Sequence, residues 1–575
     1  MKQSILLYVH LLITSFLVSR LCSPAVAQQV LHLDPTGRSS DERPDLLKEK
    51  VPSPPPTLVL PPPPPEKKEE ELALGRVFVR QIHVTGSTVL SAEELMRICA
   101  PYTNRTLDNH DLEMLRRELT ITYVEKGYVN SGALIPDQVV SDGVLWIHLR
   151  EGRLEEVEVE GERWFRESFI RDRLLIGSDR PLNISSLQSR LQLLQEDHRI
   201  ERINAALKPG VRPGEALLQV RITEKNPWGA WFLLNNYQSP TVGAEQGVMT
   251  LAQENLTGRG DILGITYARS EGLDPEIDTH YSLPLNPRDT TVSLSYRKND
   301  YTVVEEPFEP LQIVSKTDIY GVSVRHPLFR TPNRELAFAL MGEFIENRTF
   351  LLAEPFSFSL GPEQGKSRVT ALRFSQEWIA RSQTRVLAAR SRFSLGLDAL
   401  GATSRPAGIP DGQYLAWLGQ FQWAEILHPS SIQLIARIEV QLADDSLLPV
   451  EQMAVGGRYT VRGYRENQLV RDQALLASLE TRIPLVKDAL LADYLDIAPF
   501  LDYGRGWNKD LPTPPLQSIS SIGLGLRWGI TLMRTPVRLQ SQFEIYWGYP
   551  LREVDDPGHT LQDHGIHLQL LLRIY

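Results

Sequence analysis

Residues 431–442 read SIQLIARIEVQL. Successive side chains of an extended chain point to opposite faces, so Ile432, Leu434, Ala436, Ile438 and Val440 share one side while Gln433, Arg437, Glu439 and Gln441 share the other. The first face is apolar along its length and the second is polar and partly charged. TVSLSYR at 291–297 likewise puts Val292, Leu294 and Tyr296 on an apolar side, and SSIGLGLRW at 520–528 sets Ile522, Leu524, Leu526 and Trp528 against Ser521, Gly523, Gly525 and Arg527. A soluble sandwich alternates too, but its strands are usually shorter and joined by connections of a few residues. These segments run roughly 9 to 13 residues, the span of a tilted strand crossing a bilayer. In lipid, only a closed barrel satisfies every backbone polar group of a sheet.

The pattern fills residues 226–575. About 16 segments fit it, the first starting near Trp228, the eleventh near Ser431, the thirteenth near Asp493 and the last near Gly565. An even number puts both barrel ends on one side of the membrane, so whatever precedes the barrel lies in the periplasm. No segment downstream of the N-terminus holds about 18 consecutive apolar residues, which removes membrane-spanning helices.

The chain opens with a basic Lys2, an apolar run from Ile5 to Val18 and the small triplet Ala25, Val26, Ala27. This predicts a secretory signal peptide over residues 1–27; Arg20 and Leu21 ahead of Cys22 disfavour a lipoprotein site. Its removal leaves Cys99 as the sole cysteine, so no intrachain disulfide can form. A net charge of −10 argues against nucleic acid as a partner. Residues 28–50 are polar with a short helical stretch, and residues 51–71 form a proline-rich linker, VPSPPPTLVLPPPPPEKKEEE. Proline fixes φ and favours an extended spacer, which serves equally as a structureless linker or as the tether of a plug or recognition segment.

Between linker and barrel the periodicity is mixed. RVFVRQIHVTGS reads as a strand, SAEELMRICA as a helix, a longer helix carries Leu112, Leu115, Leu119 and Tyr123, and GALIP and GVLWIHLREG read as further strands. Helix termination is expected at Gly127. The order then repeats: Val84, Thr85, Gly86 and Val159, Glu160, Gly161 stand 75 residues apart, followed by a helix with Leu187, Leu191 and Leu194 and strands around RINAAL and ALLQVRITE. Two small α/β modules are expected, at residues 76–152 and 153–225.

Several motifs invite enzymatic readings and fail. GPEQGKS at 361–367 has three residues between its glycines where a phosphate loop needs four. Arg259, Gly260 and Asp261 spell an adhesion tripeptide inside the turn NLTGRGD. No HExxH or metal-ligand histidine spacing occurs, and no catalytic constellation, cofactor site or enzymatic activity is expected.

A constellation of position remains. In YLDIAPFLDYGRGW, alternation directs Leu495, Ile497, Leu501 and Tyr503 to lipid and Asp496, Ala498, Phe500, Asp502 and Gly504 to the lumen. The stretch GGRYTVRGYREN at 456–467 follows the eleventh strand and belongs to a long extracellular loop. If that loop folds inward, Arg462 can meet Asp502 in a charge-assisted, bidentate pair. Arg458 and Arg465 read as ordinary loop charges.

Taken in order, GYVNSGALIPDQ, DGVLWIHLREGRLEEVEVEG, LKPGVRPGEALLQVRITE, NLTGRGD, VRGY at Val461 to Tyr464, SLETRIPL, FLDYG at Phe500 to Gly504 and SIGLGLRW resemble the transporters of two-partner secretion. These are the haemolysin and filamentous-haemagglutinin secretion proteins, within the superfamily of polypeptide-transporting outer-membrane barrels. The resemblance implies a mainly β protein: a 16-stranded antiparallel barrel preceded by two periplasmic POTRA (polypeptide-transport-associated) domains. It implies an inverted loop whose Arg462 pairs with Asp502, with Val461, Gly463 and Tyr464 beside the arginine and Phe500 and Gly504 beside the aspartate. It also implies capture of a large unfolded exoprotein by strand addition to a module edge and export without ATP, with a monomer in outer-membrane lipid favoured. Gly463 is expected to permit a tight turn and Tyr464 to pack on the lumen wall. One departure is that Tyr575, the terminal aromatic, falls out of phase with the lipid-facing Ile566, Leu568, Leu570, Leu572 and Ile574. The alternatives are a factor that inserts other barrels, which shares VRGY but usually carries more modules, and a passive porin or adhesin.

Overall fold

A computed structural model describes residues 56, 58–60, 76–176, 180–212, 214–427, 429–533, 539–554 and 559–574. The expected signal peptide, the segment 28–50, most of the proline run and Tyr575 lie outside the described residues. Backbone contacts separate a unit at Ser53–Lys225 from one at Asn226–Tyr575.

The first unit opens with β1 (Leu58–Val59), then β2 (Val77–Val79), β3 (Gln81–Thr85), a helix at Ala92–Cys99, β4 (Arg105–Leu107), a helix at Asn109–Glu125, β5 (Gly132–Leu134) and β6 (Val144–Arg150). Both helices start on reciprocal caps, Ser91 with Glu94 and Asp108 with Asp111, which satisfy amides that no helical carbonyl can reach. The second helix ends where expected: Gly127 takes φ 89° and the Tyr128 amide reaches back to the Tyr123 carbonyl at 2.9 Å. Its Leu115, Leu119 and Tyr123 bury against Leu145, Ile147 and Leu149 of β6. The strand expected from RVFVRQIHVTGS is interrupted. The Arg80 amide donates to Gly143 O at 2.7 Å, so β2 pairs with β4 while β3 runs parallel to β6.

The repeat contains β7 (Arg153–Glu160), helices at Glu167–Leu175 and Ile184–Gln195, β8 (Ile200–Pro209) and β9 (Glu215–Glu224). The first of these helices escapes the periodicity reading because only Phe169, Ile170 and Leu174 of its charge-rich sequence are buried. Gly86 and Gly161 occupy matching places, at φ 86° and 88°. At each, a Cβ would strike a carbonyl oxygen, of Leu149 and of Ile222 respectively.

The linker holds a surprise. β1, within the proline run, adds to the edge of the second module in parallel with β8, Leu58 opposite Ala205 and Val59 opposite Ala206. The sheet order is β1-β8-β9-β7, and Leu58 packs on the core formed by the two helices and the sheet.

The second unit is a closed antiparallel barrel of sixteen strands. They are β10 (Trp228–Asn235), β11 (Gln246–Gln253), β12 (Ile262–Ser270), β13 (Leu273–Pro284), β14 (Thr291–Thr302), β15 (Val314–Thr331), β16 (Arg334–Leu351), β18 (Lys366–Arg381), β19 (Arg385–Gly396) and β20 (Leu415–Leu427), followed by β21 (Ile432–Ala443), β24 (Gln473–Ala489), β25 (Ala492–Trp507), β26 (Ser518–Met533), β27 (Leu539–Pro550) and β28 (Ile566–Ile574). Short pieces, β17 (Glu354–Pro355), β22 (Met453–Val455) and β23 (Leu469–Arg471), sit in loops. Closure joins β10 to β28, from Ala230 opposite Ile574 to Asn235 opposite Gln569.

Several strands exceed the expected span; β15 and β16 reach 18 residues each. The reason is legible on their outer face. Tyr296, Tyr320 and Phe344 lie side by side, and the next outward positions across β14, β15, β16 and β18 are Lys298, Asp318, Glu346 and Arg368. An aromatic row followed by a charged one marks where the ladder leaves the hydrocarbon. The two rejected motifs are turns: Asp261 is buried, accepting from the Thr257 amide at 2.9 Å and hydroxyl at 2.8 Å. Glu363 and Lys366 exchange backbone hydrogen bonds at 2.9 Å, as in a hairpin turn.

Candidate functional site

The connection from β21 to β24 spans residues 444–472 and turns into the lumen; Val461, Arg462, Gly463, Tyr464 and Arg465 are all buried. Arg462 donates through Nε to Asp502 Oδ2 at 2.7 Å and through Nη2 to Asp502 Oδ1 at 2.9 Å, and its backbone amide adds a bond to Oδ2 at 3.1 Å. Nη1 pairs with Glu480 of β24, and Nη2 also lies 3.2 Å from Ser478 Oγ, which donates to Asp502 Oδ1 at 2.7 Å. The guanidinium stacks 3.7 Å above the Phe500 ring. With Arg462 3%, Glu480 6% and Asp502 1% exposed, the pair sits where water screens it little and breaking it is costly.

The neighbours explain the residue types. Alternation puts Phe500, Asp502 and Gly504 of β25 on one face, so one strand offers a ring, an anion and a gap. A Cβ on Gly504 would come within 2.7 Å of Val461 Cγ2, so the loop enters where the wall has no side chain. Gly463 takes φ 92°, and a Cβ there would lie 2.8 Å from Gly548 O; its amide meets His567 Nε2 of β28 at 3.3 Å. The Tyr464 hydroxyl sits 2.9 Å from the carbonyls of both Ser520 and Arg552 and accepts from the Arg552 amide at 3.2 Å.

Arg458 and Arg465 are not ordinary loop charges. Arg458 pairs with Glu544 of β27 at 2.9 Å and lies 3.9 Å over the Tyr546 ring. Arg465 pairs with Asp563, in the β27–β28 connection, and with Glu305, in the β14–β15 connection, the latter at 2.6 Å. Nothing in the loop's own sequence distinguishes a solvated arginine from one aimed at a wall carboxylate thirty or more residues away. Lumen parity offered the missing signal for part of the set: Ser478 and Glu480 fall on the lumen side of SLETRIPL, as Glu544 does on β27. Among the described residues no group of acidic, histidine or cysteine side chains is arranged to hold a metal.

The model of the haemolysin secretion/activation proteins (ShlB/FhaC/HecB) matches residues 214–528, and that of the ShlB-type POTRA domain matches residues 77–152. The chain belongs to this family. Its members are outer-membrane transporters of two-partner secretion systems rather than enzymes, and the chain is an outer-membrane protein whose POTRA domains lie in the periplasm. Among its relatives is the outer membrane transporter CdiB of Dickeya dadantii, 23% identical over 68% of this chain and 69% of that protein. The hemolysin transporter protein ShlB of Serratia marcescens is also 23% identical, over 67% and 68%. The heme/hemopexin transporter protein HuxB of Haemophilus influenzae is 24% identical over 72% and 73%. In fold, the chain matches CdiB from Escherichia coli with a TM-score of 0.66 at 20% identity, covering 89% of this chain and 92% of that one.

Proposed function

We propose that this transporter captures one dedicated, unfolded exoprotein in the periplasm and passes it through its barrel to the cell surface without ATP. Capture by the modules and folding of the cargo outside supply the direction. Arg462, Glu480 and Asp502 hold the inverted loop in the position from which transport begins, Gly463 lets the tip approach Gly548, and Tyr464 fastens it to the wall. The observation that carries this reading is a buried arginine, hydrogen-bonded through Nε, Nη1 and Nη2 and placed in the lumen by a loop, where a passive pore needs only a solvated channel. Strand addition remains the capture chemistry, at an edge other than the face of β8 that β1 covers.

The experiment compares export of the exoprotein in cells carrying and lacking this chain, with outer-membrane protein assembly followed in parallel. Export is expected to stop while assembly continues. Continued export together with failed assembly would identify a barrel-inserting factor instead.

A further inference from the structure

The loop that carries Arg462 is also held at its other end. Leu447, Leu448 and Val450, from its first half, pack against Ile345 of β16 and Val369 and Ala371 of β18. Beside this apolar bed, Glu451 receives two hydrogen bonds from Arg373 of β18, Nη2 to Oε1 at 2.7 Å and Nη1 to Oε2 at 3.1 Å. The guanidinium also donates through Nε to Glu343 at 3.0 Å and through Nη1 to Ser394 Oγ at 3.0 Å. The side chains of Arg373 and Glu451 are 4% and 7% exposed. In strand order β18 lies five steps from β25, so this contact is separate from the one at Asp502.

Glu343, on the adjacent strand, is enough to neutralise Arg373. A second buried carboxylate on the same guanidinium adds nothing to the ladder; it fixes the loop segment that bears it. Past Glu451 the chain changes direction at Gly456 and Gly457, at φ 118° and 102°. Before those glycines the base rests on the apolar bed and the Arg373–Glu451 pair; beyond them Val461 and Tyr464 belong to a separate apolar cluster with Leu476 and Ile519, and the arginines are tied to carboxylates of the wall and its connections.

We infer that Arg373 and Glu451 are positioning residues that anchor the base of the inverted loop, so that the tip beyond Gly456 and Gly457 is the part that leaves the lumen during export. The consequence for export rests on the function proposed above; the anchor itself does not.

The test uses the full chain in a Cys99→Ser background with spin labels in pairs. Asp398→Cys, exposed in the β19–β20 connection, is paired with Ala454→Cys in the base or with Tyr459→Cys in the tip, and pulsed electron resonance measures each distance distribution. Arg373→Glu and Glu451→Arg are each expected to broaden the base distribution at least twofold, and the charge-exchanged double variant to restore it. Arg462→Ala is expected to broaden the tip distribution alone. Export, measured alongside, falls at least fivefold in the single variants and recovers in the double. A base distribution that stays narrow in both single variants, or a double variant that fails to restore it, overturns the anchor. Failure to find any dependent exoprotein overturns the proposed function and leaves the distance measurement to decide the anchor.

Discussion

Arg462 has no water to fall back on. Removing its side chain leaves Asp502 buried without its guanidinium, while Glu480 keeps its bond from Arg482 at 2.7 Å, and breaking a buried pair in this way costs about 3–5 kcal/mol. Arg462→Ala is therefore expected to reduce export to background while the barrel still inserts and keeps its heat-modifiable migration on gels, since no strand-pairing bond runs through this side chain. Arg462→Lys keeps the charge but supplies a single point donor where Asp502 accepts two parallel bonds; export intermediate between wild type and Arg462→Ala checks that geometry, not charge alone, matters. Gly463→Val tests the approach rather than the charge. With φ 92° and Gly548 against it, a branched side chain displaces the tip. Protease added to intact cells should then cleave at Arg465, a site sheltered in the wild type; continued resistance would show that the tip tolerates the bulk.

At the scale of elements, what could be read from the sequence follows from periodicity. Strands such as β14, β21, β25 and β26 carry a period-2 signal strong enough to fix their facing, which is why alternation alone assigns Phe500, Asp502 and Gly504 to the lumen. The inward fold of the loop has no local signature, since it depends on carboxylates contributed by β24, β25 and β27 and by two distant connections. β1 was invisible for the opposite reason: two residues inside a proline run have no period at all. Its consequence can be measured. Val59→Pro removes an amide and Leu58→Asp puts a charge against the module core, so both should release β1 from β8. The backbone amide of Ala205, which faces β1, is expected to exchange with deuterium at least tenfold faster in the full-length variants while that of Ala206, which faces β9, does not change; unchanged exchange at Ala205 would mean the pairing contributes no protection.

The two units of the molecule are stabilised by different physics and should fail under different conditions. The barrel is a closed ladder with no edge, whereas the modules rest on small cores braced by surface and half-buried ion pairs. In the second module, burial pushes the Asp197 carboxyl up, but the Arg199 guanidinium, bonded at 2.8 and 2.6 Å, more than offsets it and holds the group at about 2. Its folded value lies below the ordinary 3.8, so about 2 kcal/mol of stabilisation is present above roughly pH 4 and is lost as the pH falls towards 2. Acidification should melt the modules' helical signal while the β signal of the barrel persists.

The closed ladder and the inverted loop make a further separation possible at this scale. The barrel hydrogen bonds run between neighbouring strands, and the tip contributes none of them, so the tip obstructs the pore without building it. Replacing residues 457–468 by a short glycine-serine link should leave insertion intact and raise single-channel conductance in planar bilayers severalfold. It should at the same time abolish export, because an open lumen lacks the element that Arg462 positions. A rise in conductance with export preserved would reduce the tip to a plug; no rise would mean that lumen side chains such as Arg437, Arg482 and Arg527, rather than the tip, set the limiting constriction.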